Sequence, residues 1–255
     1  MGFELEVLPT ASLVAEAAAR RFVATANDAI RSRGEFVVAL SGGSTPRSMY
    51  ARLAAEPAAS NVNWSRVQVL WGDERCVPPD HAASNYRMAR EALLDHVPIP
   101  AANVHRIRGE DDPAAAATAY ERMIRGVLRT PIGPPRGPPE ARIDLVLLGL
   151  GVDGHTASLF PCAVAVHDSP SWVRAEYAQA VSAWRVTLTP VIINAAAVVA
   201  FVVTGDAKAT IVRKVLEGPH RPHELPAQLI APAAGHVLWF VDAPAAAALR
   251  GSTAR

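Results

Sequence analysis

Residues 36–46 read Phe-Val-Val-Ala-Leu-Ser-Gly-Gly-Ser-Thr-Pro. The apolar run Phe36 to Leu40 predicts a short buried strand, and the paired glycines after it predict a tight turn that exposes backbone N–H groups. Ser44 or Thr45 can cap a helix there, and Pro46 suits its first position. The same alternation extends in both directions. Val67 to Trp71, Ile143 to Leu148, Ala197 to Thr204 and Val237 to Val241 are further short apolar runs bounded by Gly, Asp or Pro. Between them, Ser12 to Arg31, Pro46 to Ala55, Asn85 to His96, Pro113 to Leu128 and Asp206 to Leu216 carry apolar residues at helical spacing. Strands without polar alternation are buried on both faces, so the chain predicts an α/β fold with a mostly parallel sheet covered on both sides. Sheets of this kind bind ligands outside the carboxyl ends of their strands, which directs attention to the residues just after each one.

Four such segments carry chemistry. Ser41, Gly42, Gly43, Ser44 and Thr45 either form only a well-capped turn or receive a phosphate at the start of a helix. Their spacing fits neither the Walker pattern nor the dinucleotide fingerprint. Next, Trp71-Gly72-Asp73-Glu74-Arg75 puts three charges directly after a strand, where each must be solvated, paired or turned toward a ligand. Arg75 offers a planar fork for phosphate or carboxylate, and Asp73 can orient a base or bind a hydroxyl. In Gly149-Leu150-Gly151-Val152-Asp153-Gly154-His155, three glycines free the backbone around an Asp and a His two residues apart. Histidine is the side chain suited to proton transfer near neutral pH, which makes His155 the best general acid or base in the chain. Finally, Lys208 stands near the start of a helix, an unfavourable place for a cation unless an anion is also bound. Arg185 precedes a strand on this reading, where it either reaches the same anion or only covers the sheet edge.

Composition narrows the function classes. With 50% hydrophobic and 19% charged residues and a net charge of +1, the chain is neither disordered nor a basic nucleic-acid platform. Cys76 and Cys162 are the only cysteines, too few for a disulfide framework or a multi-cysteine metal site, and they fit a reducing, cytoplasmic setting. No ligand set accompanies Asp153 and His155, so no metal is expected, and Gly-x-Ser-x-Gly is absent. No segment reads as a signal peptide or membrane span. Thr130 to Glu140, dense in Pro and Gly, is expected to form an exposed loop within one domain of residues 1–255, and Gly251 to Arg255 to fray.

Taken in order, LSGGSTP (40–46), WGDERCVP (71–78), SNYRMARE (84–91), LLGLGVDGHTASLFP (147–161), RVTLTPVIINAA (185–196), VTGDAKA (203–209) and LPAQLI (225–230) resemble the 6-phosphogluconolactonase family. That family lies within a larger group that includes glucosamine-6-phosphate deaminases and isomerases. The resemblance implies a doubly wound, Rossmann-like sheet of the sugar-phosphate isomerase type. It implies hydrolysis of 6-phospho-D-glucono-1,5-lactone to 6-phosphogluconate in the oxidative pentose phosphate pathway, without cofactor or metal. On this basis His155 is expected to activate water, Asp153 or Asp73 to orient the imidazole or a sugar hydroxyl, and glycine N–H groups to stabilise the oxyanion. Arg75 and Lys208, with the 41–45 turn and Arg185, are expected to hold the phosphate. Deaminases of the group carry an acidic residue in an Asn-Glu-Pro context after Asp-Gly-His, whereas here the stretch is Ser158-Leu159-Phe160-Pro161, without a carboxylate. One departure from the family is Cys162, where small residues such as Gly are frequent. Related folds also serve as sugar-phosphate sensors of transcription regulators, but with a first strand from about Phe3 no preceding DNA-binding module is expected. A monomer or weak homodimer binding a small substrate, but neither nucleic acid nor membrane, is expected.

Overall fold

The computed structural model describes residues 2–129, 142–163 and 170–250. In chain order its elements are β1 (Glu4–Leu8), α1 (Ala11–Arg33), β2 (Phe36–Leu40), α2 (Ser44–Leu53), β3 (Val67–Trp71), β4 (Asp73–Arg75), α3 (Asn85–Ala92), α4 (Pro113–Val127), β5 (Leu145–Leu148), β6 (Val173–Ala178), β7 (Ala183–Leu188), α5 (Pro190–Ile193), β8 (Val198–Val203), α6 (Ala209–Glu217), β9 (His236–Asp242) and α7 (Ala243–Ala246). Six strands form one sheet in the order β1-β9-β8-β5-β2-β3, and every pair in it is parallel. From β2 the chain winds outward to β3, whereas β5, β8, β9 and β1 lie on the other side, so the winding reverses between β2 and β5. This is a doubly wound α/β sheet, and its reversal point opens the crevice in which ligands of such folds bind. All residues of β2 and β5 are buried, as apolar runs covered on both faces require.

Helix α1 shows how local signals and packing agree. Thr10 accepts a hydrogen bond from the Leu13 N–H, and Gly34 ends the helix at φ 83°, in the left-handed region. Arg31 and Arg33 lie in the last turn, where cations suit the helix dipole. Its buried stripe of Val14, Ala15, Ala18, Phe22, Ala26 and Ala29 faces the sheet, and Phe22 meets Phe36 edge to face at 5.2 Å.

A second sheet, β4-β7-β6, is antiparallel and was not expected. Its strands carry weak signals: β4 is three charged residues, and β6 (VRAEYA) mixes polar and apolar positions. Gly72 joins the sheets, donating its N–H to Leu40 O at 2.8 Å and accepting from Leu188 N at 2.8 Å. One apolar cluster contains residues of both sheets, among them Val146 and Val186.

Several boundaries differ from expectation. Neither Ser44 nor Thr45 caps α2: Gly43, at φ 111°, occupies the cap without a side-chain bond, and Pro46 is the third helical residue. Arg185 does not precede a strand but lies within β7. The predicted helix at 206–216 divides into a 3-10 turn, Asp206–Lys208, and α6. Cys162 has φ 59°, a conformation that glycine adopts without strain, which gives its local turn a physical reason for favouring glycine. The Pro/Gly stretch 130–140 and the tail 251–255 lie outside the described residues. Among those described, no helix is long and apolar enough to cross a membrane.

Candidate active site

A cleft of about 240 Å³ opens where β2, β3 and β5 end. The Ser41–Gly43 turn, Asp73 and Arg75, the glycine loop through Gly149 and Gly151, His155, Asn85 and Lys208 all line it. Residues distant in sequence meet there because parallel strands deliver their following loops to one edge of the sheet.

The glycine loop sets the imidazole. Gly151 N–H donates to His155 O at 2.8 Å, and Gly154 turns the chain at φ 87°. A side chain at Gly151 would begin only 2.1 Å from His155 Nδ1, so the loop needs glycine there. Asp153 Oδ1 lies 2.5 Å from His155 Nδ1, and this bond holds the Asp153 carboxyl below the usual carboxylate range. An ionised carboxylate only accepts, so Nδ1 carries the proton and the lone pair of the neutral ring resides on Nε2. The Phe160 ring packs at 4.7 Å from the imidazole centroid.

Asp73 has other partners. It is buried, accepts from Ser158 Oγ at 2.7 Å on one oxygen, and receives the Asn85 amide at 3.3 Å on the other. Of the two carboxylates considered for the imidazole, Asp153 is therefore the one in contact with it. Glu74, next in sequence, points into the protein and accepts from the N–H groups of Arg75, Asn85 and Tyr86 and from the Ser84 hydroxyl, all at 2.7–2.9 Å. Burial nonetheless pushes its carboxyl up. This clamp fixes the start of α3 and so presents the Asn85 side chain to the cleft. The three adjacent charges thus divide into a cleft-floor carboxylate, an internal clamp and a cleft-facing cation.

Arg75 donates to Ala83 O at 2.5 Å and stands directly opposite Arg185 in the β4–β7 register. Like charges opposed across an antiparallel pair repel. Burial and the nearby Arg75 charge both lower the Arg185 pKa. Neither arginine has a carboxylate partner at salt-bridge distance among the described residues. Arg75 lines the cleft; Arg185 does not. Lys208 also lines it; burial lowers its pKa, and the Asp153 charge partly offsets this. Asp242 fixes the preceding turn, both its oxygens accepting from Gly205 N–H at 3.0 and 3.1 Å.

Within the 41–45 turn, Ser41, Gly42 and Gly43 line the cleft, while Ser44 and Thr45 do not. Among the described residues, the buried Ser41 Oγ has no hydrogen-bond partner. A Cβ on Gly42 would fall 1.9 Å from Asn85 Oδ1, so glycine is required for the amide to fit. Thr45 instead bonds Thr204 at 2.8 Å, tying the turn to the loop that carries Lys208. Asn85, Ser158 and Glu74 received no role from sequence; Asn85 lies in the SNYRMARE stretch, Ser158 in GHTASLFP and Glu74 in the charged run of WGDERCVP. Among the described residues, no group of three or more His, Cys, Asp or Glu side chains could hold a metal ion.

Fold and site together define a class: a doubly wound α/β protein with a carboxylate-supported histidine in an anion-receptive cleft at the reversal point of the sheet. The family model described as glucosamine-6-phosphate isomerases/6-phosphogluconolactonase matches residues 9–239. The chain belongs to this family. A Nostoc 6-phosphogluconolactonase is 38% identical over 248 residues, covering 96% of this chain and 98% of that protein. One from Haemophilus influenzae is 36% identical over 205 residues, covering 80% and 84%. The solved structure of 6-phosphogluconolactonase from Trypanosoma cruzi superposes with a TM-score of 0.85 at 29% identity, covering 98% of both chains.

Proposed function

We propose that the protein hydrolyses 6-phospho-D-glucono-1,5-lactone to 6-phosphogluconate in the cytoplasm, as a single domain and with no step routed through a metal. The observation that carries this reading is the Asp153–His155 pair at 2.5 Å, set in a cleft whose cations, Arg75 and Lys208, have no carboxylate within salt-bridge distance among the described residues. The relatives that bear the lactonase name support the substrate.

A lactone is an activated ester, so its hydrolysis needs a base for water, donors for the developing oxyanion and an anchor for the substrate. His155 Nε2 removes a proton from water as the water oxygen bonds to C1. The ring C1–O bond then breaks, and the imidazolium returns the proton to the departing ring oxygen. Asp153 holds Nδ1 and stabilises the imidazolium. Arg75, Lys208 and the Ser41–Gly43 turn hold the phosphate, with Arg185 strengthening the field at Arg75. Holding a group remote from C1 orients the carbonyl for attack, so loss of an anchor lowers turnover as well as affinity. Asp73 and Asn85 face the sugar hydroxyls.

Parallel assays on the two substrates of the wider family test this reading. Accelerated opening of fresh 6-phosphogluconolactone, with no ammonia released from glucosamine 6-phosphate, is expected; the reverse pattern assigns the cleft to amino-sugar chemistry.

A further inference from the structure

Two buried tyrosines outside the cleft make the same contact with its backbone. Tyr50, on α2, accepts from Ser41 N–H at 3.0 Å and donates to Ser41 O at 2.8 Å through one hydroxyl. Tyr120, on α4, accepts from Trp71 N–H at 2.6 Å and donates to Trp71 O at 3.0 Å. Both side chains are buried.

Each residue so gripped lies where the sheet stops supplying partners. The β2–β5 ladder registers Val38 with Leu145 and Ala39 with Val146, so Ser41 lies beyond it. Trp71 is the last residue of β3, an edge strand of the parallel sheet. A strand end without a neighbour leaves an N–H and a C=O to be satisfied, and one hydroxyl can satisfy both because it donates and accepts. The gripped residues also begin two of the segments that line the cleft: Ser41 leads into Gly42 and Gly43, and Trp71 leads through Gly72 into Asp73 and Arg75.

We propose that Tyr50 and Tyr120 are positioning residues for this cleft, their hydroxyls replacing the missing sheet partners of Ser41 and Trp71 and so setting the anion-binding turn and the Asp73–Arg75 segment. The assignment rests on the proposed use of the cleft for a phosphorylated ligand, but its test does not depend on lactone turnover. Burial raises both phenol pKa values, so the hydroxyls remain donors at neutral pH.

The test measures binding of inorganic phosphate and of 6-phosphogluconate by calorimetry to Tyr50→Phe and Tyr120→Phe, well below their melting temperatures. A remote core variant, Val14→Ala, serves as the comparison for lost stability. Phenylalanine keeps the ring and removes only the hydroxyl. Affinity should fall by about tenfold or more in Tyr50→Phe, while Val14→Ala binds as the wild type does. Tyr120→Phe should weaken 6-phosphogluconate binding through Arg75. Both tyrosine variants binding both ligands with wild-type affinity, while melting at lower temperature, would reduce the hydroxyls to a structural role and overturn the proposal. If a variant does not fold, amide hydrogen exchange of the wild type decides: Ser41 and Trp71 N–H should exchange as slowly as amides inside the ladder, and rapid exchange at both overturns the assignment. Wild-type phosphate binding without lactone hydrolysis would contradict the proposed activity and leave the clamps intact.

Discussion

At the residue scale the account depends on a few contacts. Sequence alone left Asp153 and Asp73 as alternatives, because both follow strands and spacing does not reveal where a side chain bonds. The distances separate them: Asp153 meets the imidazole at 2.5 Å, whereas Asp73 is engaged by Ser158 and Asn85. Lys208 provides a pH prediction. Its pKa in the free protein lies below the ordinary lysine value because of burial, and a bound phosphate raises it by favouring the charged form. Affinity for 6-phosphogluconate is therefore full at neutral pH and declines as pH rises through the lowered free-protein pKa. Titration calorimetry across the alkaline range checks this; a flat affinity would remove Lys208 from the anchor. Gly42→Ala tests the fit against Asn85. The added methyl overlaps the amide oxygen, so stability should fall by about 1–3 kcal/mol in denaturant titration, with weaker product binding.

At the scale of elements, legibility followed the chemistry of the strands. The apolar parallel strands and the helices between them were readable because burial on both faces leaves no polar alternation to confuse the pattern. β4 and β6 were not, since a charged three-residue strand and a mixed one resemble loop, and so Arg185 was misplaced outside its strand. The turn at 41–45 was located correctly, but its cap chemistry was not: Gly43 takes a backbone conformation that needs no side-chain cap, which leaves Thr45 available to Thr204. Glu74 marks another limit, because one residue in a charged run gave no sign that it would organise α3 from within. Glu74→Ala strips an acceptor from the backbone N–H groups of Asn85 and Tyr86 at the start of α3 and of Arg75 on β4. Chemical denaturation should report a loss of about 2–4 kcal/mol, and a loss within experimental error would mean that water replaces the carboxylate without cost.

For the whole molecule, the proposed function has a near-neutral chain bind an anion through placed groups rather than a broad field. The net charge is +1, and most arginines with resolved partners pair along the surface, as Arg20 with Glu16 and Arg106 with Glu110. Among the described residues Arg75 and Lys208 lack a salt-bridge partner, and they converge on the cleft because the reversal of winding between β2 and β5 gathers their loops. The proposed mechanism routes no step through a metal, so prolonged EDTA treatment should leave the rate unchanged; loss of activity restored by a divalent ion would require a different mechanism.

In the proposed mechanism His155, held by Asp153, activates water against a phosphorylated lactone. The most direct measurement follows 6-phosphogluconate formation from freshly made 6-phosphogluconolactone, coupled to a dehydrogenase, for wild type, His155→Ala and buffer alone. The wild type should far exceed the spontaneous rate, and His155→Ala should lose about 10²- to 10⁴-fold in turnover while still binding product. A His155→Ala rate equal to wild type, or a wild-type rate equal to buffer, would contradict the account.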